Sequence, residues 1–255
     1  MSSTILPIAL ALLLVAVPRA WAGDQSTAPQ QRVPVLVELF TSEGCSSCPP
    51  ADKLLAELAA KQPVDGAMIV PLALHVDYWD RLGWRDPFSS ANFTKRQTDY
   101  AAGKTTYTPQ MIVDGQSEFV GSDRDAATKA ISDAARTPKG SIKIELISQD
   151  QPLHVKLQIT FAQLPAKAAD VLLAITEDGL SSDVKRGENA GRKLQHSAVV
   201  RRLERIAEVS HQADIQAEIQ LNPAWQRDKL HLVVFMQDPT SRKILAVAVV
   251  ELPSR

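Results

Sequence analysis

The fold of the first half of the chain is decided by residues 35–50, which read VLVELFTSEGCSSCPP. Val35 to Phe40 is an apolar run with a single acid, which is typical of a strand covered on both faces in a parallel sheet. From Cys45 to Lys61 the apolar residues recur at helical spacing. The sequence therefore predicts a buried strand, a C-x-x-C turn and a helix in direct succession.

The rest of the first half supplies five further elements. Met68 to His75 is a second buried strand, and together with the first strand and helix it makes a parallel βαβ unit. The remaining elements are a helix, two strands joined by a tight turn, and a last helix. They occupy Ser89–Ala102, Gln110–Val113, Gln116–Val120 and Asp123–Arg136. Residues 34–138 are therefore expected to form an α/β domain with the order β-α-β-α-β-β-α.

Residues 139–255 follow a different pattern. Beyond Thr137-Pro138 the hydrophobic period changes to that of strands, as in Val155 to Phe161, where apolar and polar residues alternate. About seven such short strands follow, which is typical of an antiparallel β-sandwich. We therefore expect a separate β-sandwich domain over residues 139–255.

Composition excludes several classes of protein. A chain of 255 residues with 45% hydrophobic and 22% charged residues is long enough for two domains and is neither disordered nor fibrous. Its formal net charge of −1 gives no support for binding nucleic acid.

The N-terminus predicts export. An apolar run from Ile5 to Val17 precedes Ala20-Trp21-Ala22, an A-x-A cleavage pattern, so residues 1–22 are interpreted as a signal peptide. Residues 23–33 are polar and are expected to be a flexible leader. The mature protein is then periplasmic or secreted and has no membrane span. Both of its cysteines would meet conditions in which disulfides form and persist.

The C-x-x-C turn carries the chemistry. At a helix start, backbone N–H groups and the helix dipole stabilise the thiolate of Cys45, and the two-residue spacing lets Cys48 resolve a mixed disulfide. One alternative is a structural disulfide, although closing so short a loop contributes only about 1.9 kcal/mol. Another is a metal site, although the first half offers a single histidine, His75, and no third cysteine. The leading interpretation is a redox-active disulfide with no bound metal or cofactor.

These features resemble the thioredoxin superfamily. The resemblance is carried by the apolar strand Val35–Phe40, by the Cys45-Ser46-Ser47-Cys48 turn that opens a helix, and by Thr108-Pro109 ahead of the third core strand. More narrowly, the chain resembles a family of secreted bacterial proteins of unknown function with a thioredoxin-like domain. The segments that suggest this family are Phe40–Cys45 and His75–Asp80.

The resemblance implies a thioredoxin-like fold for residues 34–138 and specific roles for several residues. Pro109 would be cis and would lie against the two cysteines, where it and Thr108 offer backbone groups to an extended thiol substrate. Glu38 would be the buried acid beneath Cys48. The intervening Ser46-Ser47 differs from the superfamily's usual Gly-Pro dipeptide.

The loop after His75 is a candidate recognition surface. It leaves the carboxyl end of the second strand, where α/β sheets usually bind ligands. Two tryptophans, a tyrosine and alternating charges suit partner recognition, although the same residues could simply pack the loop onto the domain. His75 could steady a cysteine or ligate copper, or it could be an ordinary hydrogen-bonded histidine. The candidate substrate-binding residues are Thr108, His75, Asp77, Tyr78, Trp79 and Trp84.

The second half offers little recognisable chemistry. Gly187 to Arg192 is a turn-rich polar loop, and the histidines at His154, His196, His211 and His231 show no spacing of metal ligands. A docking role for the sandwich is an analogy only.

Two functions remain open. The first is an exported thiol–disulfide oxidoreductase that acts on a protein containing thiols or a disulfide. The second is a non-enzymatic periplasmic binding protein that holds a protein partner or copper and uses Cys45–Cys48 as a structural disulfide.

Overall fold

In the computed structural model, Met1 and residues 32–148 and 150–254 are described. The predicted signal peptide beyond Met1, and the predicted leader up to residue 31, lie outside the described residues. The first strand begins at Val33, the last residue of the expected leader.

The described residues form thirteen strands and three α-helices. Two short 3₁₀ helices, Asp80–Leu82 and Arg227–Lys229, lie in connecting segments. In chain order the strands and helices are β1 (Val33–Thr41), α1 (Pro49–Lys61), β2 (Ala67–His75), α2 (Ala91–Ala101), β3 (Gln110–Val113), β4 (Ser117–Val120), α3 (Arg124–Ala135), β5 (Ser141–Ser148), β6 (Leu153–Thr160), β7 (Ala169–Glu177), β8 (Leu180–Asp183), β9 (Lys193–His196), β10 (Val199–Val209), β11 (Ala213–Ile219), β12 (Leu230–Gln237) and β13 (Ile244–Glu251).

Local sequence explains where helix α1 begins and which face it buries. Pro49 and Pro50 occupy its first turn, where a missing backbone N–H costs nothing. Its leucines Leu54, Leu55 and Leu58 are buried against alternate residues of β1. Helix α1 is thereby fixed on one face of β1 with its N-terminus at the end of that strand.

Eight strands form one mixed sheet in the order β13-β12-β7-β10-β2-β1-β3-β4. Strands β1 and β2 are parallel and in full register, while β1 and β3 are antiparallel. At the other edge of β2, Ala73 pairs with Val199 of β10, and the Ala73 N–H donates to the carbonyl oxygen of Ala198 at 2.8 Å. This junction joins the two halves of the chain in a single sheet.

The expected fold class, a thioredoxin-like domain followed by a separate β-sandwich, is therefore wrong. The individual elements of the first half occur in the predicted order, but the described residues from Arg32 onward form one compact unit. A shared apolar core shows why: Phe40 and Leu74 pack in the same cluster as Phe235 and Val247 of β12 and β13. Alternating hydrophobicity predicts that a strand has a buried face, but it does not specify which sheet that strand joins.

The remaining strands complete the core. Strands β11, β6 and β5 form a three-stranded antiparallel sheet. Its inward residues Val155, Leu157 and Ile159 are fully buried against Leu173 and Val234 of the large sheet. Strands β8 and β9 form a two-stranded ribbon, and the loop between them, residues 184–192, extends toward the C-x-x-C turn.

The shared core predicts that the first half does not fold alone. A fragment of residues 32–138 loses β10 from the edge of β2 and loses the apolar cover over Leu36, Phe40 and Leu74. We expect it to show no cooperative thermal unfolding by circular dichroism, in contrast to residues 32–255 under the same conditions. A fragment with a sharp transition would contradict the single-sheet description.

Candidate functional site

Cys45 and Cys48 form a disulfide at the N-terminus of α1, with their Cα atoms 5.4 Å apart. The carbonyl oxygen of Cys48 accepts the N–H groups of Ala51 and Asp52 at 2.9 and 3.0 Å, so the turn runs directly into the helix. Cys45 is 1% exposed and Cys48 is 0% exposed, whereas Ser46 and Ser47 are exposed. The hydroxyl oxygen of Ser47 lies 3.4 Å from the Cys45 sulfur. The site therefore presents the two serines to solvent and keeps the two sulfurs beneath the surface.

Pro109 lies close to the first turn of α1. The Thr108–Pro109 peptide bond is cis, as predicted. A Cβ atom added at Gly121 would lie 3.1 Å from the Pro109 Cβ and 3.2 Å from the Ala51 Cβ, so both residues converge on the same glycine. A bare glycine at this position lets the Pro109 turn approach the helix that carries Cys48.

A fully buried carboxylate lies immediately before the disulfide. Glu43 accepts hydrogen bonds from Trp84 Nε1 at 2.7 Å and from His196 Nε2 at 2.9 Å, one at each carboxylate oxygen. Its backbone N–H donates to Asp86 Oδ2 at 2.9 Å. Because an unpaired buried carboxylate is very costly, these donors are what allows Glu43 to sit two residues from Cys45.

Asp86 connects Glu43 to His75. Its Oδ2 atom lies 2.7 Å from His75 Nδ1, and both side chains are buried. Burial alone would lower the pKa of His75, but the adjacent Asp86 carboxylate raises it above its ordinary value. Burial likewise opposes ionisation of Asp86, and the His75 imidazolium nevertheless lowers the Asp86 pKa. The His75 ring also packs edge-on against His196, with the ring centroids 5.0 Å apart.

Asp52 is the acid placed one helical turn after Cys48. Residues four apart on a helix share a face, with Cβ atoms about 5–6 Å apart. The Thr41 hydroxyl donates to Asp52 Oδ1 at 2.7 Å. Burial raises the pKa of Asp52, and the His75 imidazolium and the hydrogen bond from Thr41 offset part of that effect. Asp52 was not identified as a candidate in the sequence, although its position four residues after Cys48 was a usable signal.

Glu38, the acid expected beneath Cys48, has a different position. Alternate residues of a strand face opposite sides, and Glu38 faces the side away from α1. It is fully buried and is held by the Arg96 guanidinium, with contacts of 2.6 and 3.0 Å, and by the Tyr100 hydroxyl. The structure does not bring Glu38 to the cysteines, so the expected role is wrong.

The loop between β8 and β9 packs directly on the C-x-x-C turn. The Asn189 Nδ2 atom donates to the carbonyl oxygens of Glu43 and Cys45, each at 2.9 Å, and Asn189 is fully buried. The Glu188 carboxylate accepts the Ser46 N–H at 3.0 Å and the Ser46 hydroxyl at 2.7 Å. The expectation that the second half offers little chemistry is therefore wrong, since it supplies His196, Asn189 and Glu188 to the site.

Comparison with known proteins identifies the family of this chain. Residues 36–237 match the family described as Protein of unknown function (DUF1223). The chain belongs to this family. None of the curated proteins matches the chain.

Solved structures with a similar fold include two bacterial proteins. A structural-genomics protein of Agrobacterium tumefaciens is 25% identical, with a TM-score of 0.68 over 89% of this chain and 100% of that one. HBP35 of Porphyromonas gingivalis is 14% identical, with a TM-score of 0.65 over 87% of this chain and 76% of that one. The second likeness concerns the fold alone.

The loop after His75, predicted as a recognition surface, contacts the site through Trp79 and helix α2 through Asp77. Trp79 Nε1 donates to the Thr108 hydroxyl at 2.8 Å, and a Cβ added at Gly44 would lie 2.9 Å from the Trp79 Cβ, so Trp79 bridges the turns on both sides of the site. Tyr78 packs beside Trp79. Asp77 instead accepts a hydrogen bond from the Thr94 hydroxyl of α2 and is not brought to the disulfide.

The described residues were compared with the requirements of a metal site and of a membrane-spanning helix. In residues 32–148 and 150–254, no group of three or more His, Cys, Asp or Glu side chains is arranged to hold a metal ion. Across the same residues no helix is long and apolar enough to cross a membrane.

The His75–Asp86 pair predicts an observable titration. Asp86→Asn removes the carboxylate but leaves His75 buried, so we expect the His75 pKa to fall, measured by NMR of the imidazole. Asp77→Asn, in the same loop but bonded to Thr94, is the control and should leave the His75 titration unchanged. An unaltered His75 pKa in Asp86→Asn would show that the pair does not set it.

The same pair predicts a pH-dependent stability. The raised His75 pKa stabilises the folded state at low pH, and this is lost as pH rises through the folded pKa. The lowered Asp86 pKa stabilises the folded state above pH 3.8, and this stabilisation is lost as the pH falls through the folded pKa of Asp86. Asp86→Asn should therefore lower the free energy of unfolding most at pH values above 3.8 and below the folded pKa of His75, by about 3–5 kcal/mol. A destabilisation independent of pH from 3 to 9 would contradict this linkage.

Proposed function

We propose that this protein is an exported thiol–disulfide oxidoreductase whose redox couple is Cys45–Cys48. The observation that carries the proposal is the convergence of three parts at the N-terminus of α1: the C-x-x-C disulfide, the Pro109 turn, and the acid Asp52 one helical turn after Cys48. In these local features the site resembles those of the thioredoxin superfamily. Export is supported by the signal-like residues 1–22.

The proposed reaction is thiol–disulfide exchange. In the reduced protein the Cys45 thiolate attacks one sulfur of a partner disulfide, forming a mixed disulfide and expelling the partner's other sulfur as a thiolate. The Cys48 thiolate then attacks the Cys45 sulfur, re-forming Cys45–Cys48 and releasing the second partner thiolate. Two electrons pass from the protein to the partner. The reverse sequence oxidises a dithiol partner.

Asp52 provides a proton acceptor for the second step. Cys48 must lose its proton before it attacks, and a carboxylate on the same helical face is positioned to take it. Because burial raises the pKa of Asp52, this carboxylate is a stronger base than an exposed one. Asp52 therefore replaces Glu38 as the residue expected to adjust the proton balance of the dithiol.

One observation favours the second candidate, a binding protein in which Cys45–Cys48 is structural. Both cysteines are buried, and the loop of residues 184–192 packs on the turn that holds them. Exchange with a protein partner then requires this loop to move away from Cys45. A structural disulfide would need no such movement.

Single-cysteine variants distinguish the two functions. Cys48→Ser leaves the attacking thiol without its resolving partner, so we expect it to accumulate a mixed disulfide with oxidised glutathione, detected by intact mass. Cys45→Ser, the matched control, should react at least about tenfold more slowly, because its remaining thiol is the resolving one. Equal reaction of the two variants, or none by either, would contradict a directional exchange centre.

Asp52→Asn tests the proton acceptor. Exchange by this variant should lose the pH dependence that Asp52 confers, with slower release from the mixed disulfide at neutral pH. A raised carboxyl pKa destabilises the folded state as pH rises from 3.8 through the folded pKa, and asparagine cannot ionise. The variant's melting temperature relative to the native protein should therefore be higher at pH 7 than at pH 4. Identical pH–rate profiles would show that Asp52 has no part in proton transfer.

A further inference from the structure

Exposed basic side chains lie on the two loops that meet at the C-x-x-C turn. One is the loop after β2, residues 76–90, and the other is the loop between β8 and β9, residues 184–192. Gly187 of one loop lies against Trp84 of the other, with 3.6 Å between an added Cβ at Gly187 and the Trp84 Cβ. The loop of residues 184–192 carries three basic residues and one acid, whereas the loop after β2 carries two arginines together with Asp77, Asp80 and Asp86. The exposed basic residues of the two loops and of the start of β9 are Arg81, Arg85, Lys185, Arg186, Arg192 and Lys193.

These cations are almost entirely unpaired. Within the described part of the chain, five of the six side chains form no ion pair or hydrogen bond. The sixth, Arg192, donates from Nη1 to Asn189 Oδ1 at 3.1 Å, and Asn189 in turn donates to the carbonyl oxygen of Cys45. The aspartates of the loop after β2 have other partners: Asp77 accepts from Thr94, Asp80 from Ser89, and Asp86 is paired with His75. Exposed cations that are not paired with these acids attract and orient an anionic partner.

A carboxylate is already bound at the centre of this surface. Glu188 is the only acid in residues 184–193, and its carboxylate accepts both the N–H and the hydroxyl of Ser46. Ser46 lies between the two cysteines, where a substrate must approach in order to react. Because Glu188 is exposed and attached to the loop that packs on Cys45, its replacement would also release one of the loop's contacts.

We propose that the partner of Cys45–Cys48 is a protein segment with acidic residues beside its thiol or disulfide. A carboxylate of this segment replaces Glu188 at Ser46, and the unpaired cations of the two loops hold its remaining acids. The proposal deepens the proposed function, on which it rests, by naming the chemistry of the substrate.

Peptide binding tests the surface without requiring any reaction. The probes are two peptides with serine in place of cysteine, one with glutamates flanking the serine and one with glutamines at the same places. We expect the disulfide form of the full mature protein to bind the glutamate peptide about tenfold more tightly at low salt, by calorimetry. The preference should fall at high ionic strength because salt screens exposed charges. Equal affinity for the two peptides would overturn the proposal.

Matched variants locate the effect. Lys185→Glu with Arg186→Glu should abolish the preference for the glutamate peptide. Lys143→Glu with Lys167→Glu makes the same change in net charge on exposed residues of β5 and of the loop between β6 and β7. This control should retain the preference for the glutamate peptide. If both double variants lost the preference equally, the preference would depend on the net charge of the protein and not on the two loops, and the proposal would be overturned.

Glu188→Gln tests the replacement at Ser46. Removing the bound carboxylate should tighten binding of the glutamate peptide severalfold more than Asp183→Asn, which removes an exposed charge nearby. An equal effect of the two variants would overturn replacement of Glu188.

Cysteine-containing versions of the two peptides separate this proposal from the function on which it rests. Charge-selective binding without exchange would support the surface and overturn the oxidoreductase. Exchange at equal rates with both peptides would support the oxidoreductase and overturn the acidic partner.

Discussion

A carboxylate removed from water must find hydrogen-bond donors inside the protein, and at this site that requirement is imposed by Glu43. Its donors come from distant parts of the chain: Trp84 from the loop after β2, and His196 from the end of β9. The Asp86 carboxylate accepts a hydrogen bond from the backbone N–H of Glu43. The hydrogen-bond partners of this one buried side chain therefore come from both halves of the chain, and the site cannot be assembled from either half alone.

The strands that join the two halves in one sheet therefore also position the side chains of the site. Strand β10 lies beside β2 through Ala73 and Val199, and β12 and β13 cover the apolar face of β1 and β2. The same association places His196 edge-on against His75, with ring centroids 5.0 Å apart. Residues that would form a separate domain in a two-domain protein here supply the innermost polar groups of the site and the loop over its disulfide.

What the sequence predicted was local, and what it missed was long-range. The strand, C-x-x-C turn and helix of residues 35–61 follow from neighbouring residues, and the cis bond at Pro109 was implied by the resemblance to the thioredoxin superfamily. Asn189 was unremarkable in sequence because its role depends on Cys45, 144 residues away. Glu38 was misassigned for a simpler reason: the alternation of β1 directs it to the face opposite α1, where Arg96 binds it.

We propose that the buried Cys45–Cys48 disulfide, surrounded by ionisable groups and covered by a cationic loop, is a working redox couple. The most direct measurement is its reduction potential, obtained by equilibrating the mature protein in glutathione buffers and counting alkylated thiols by mass. A working redox couple should have a reduction potential above about −230 mV, in the range of redox catalysts. A value below about −300 mV would identify a structural disulfide and contradict the claim.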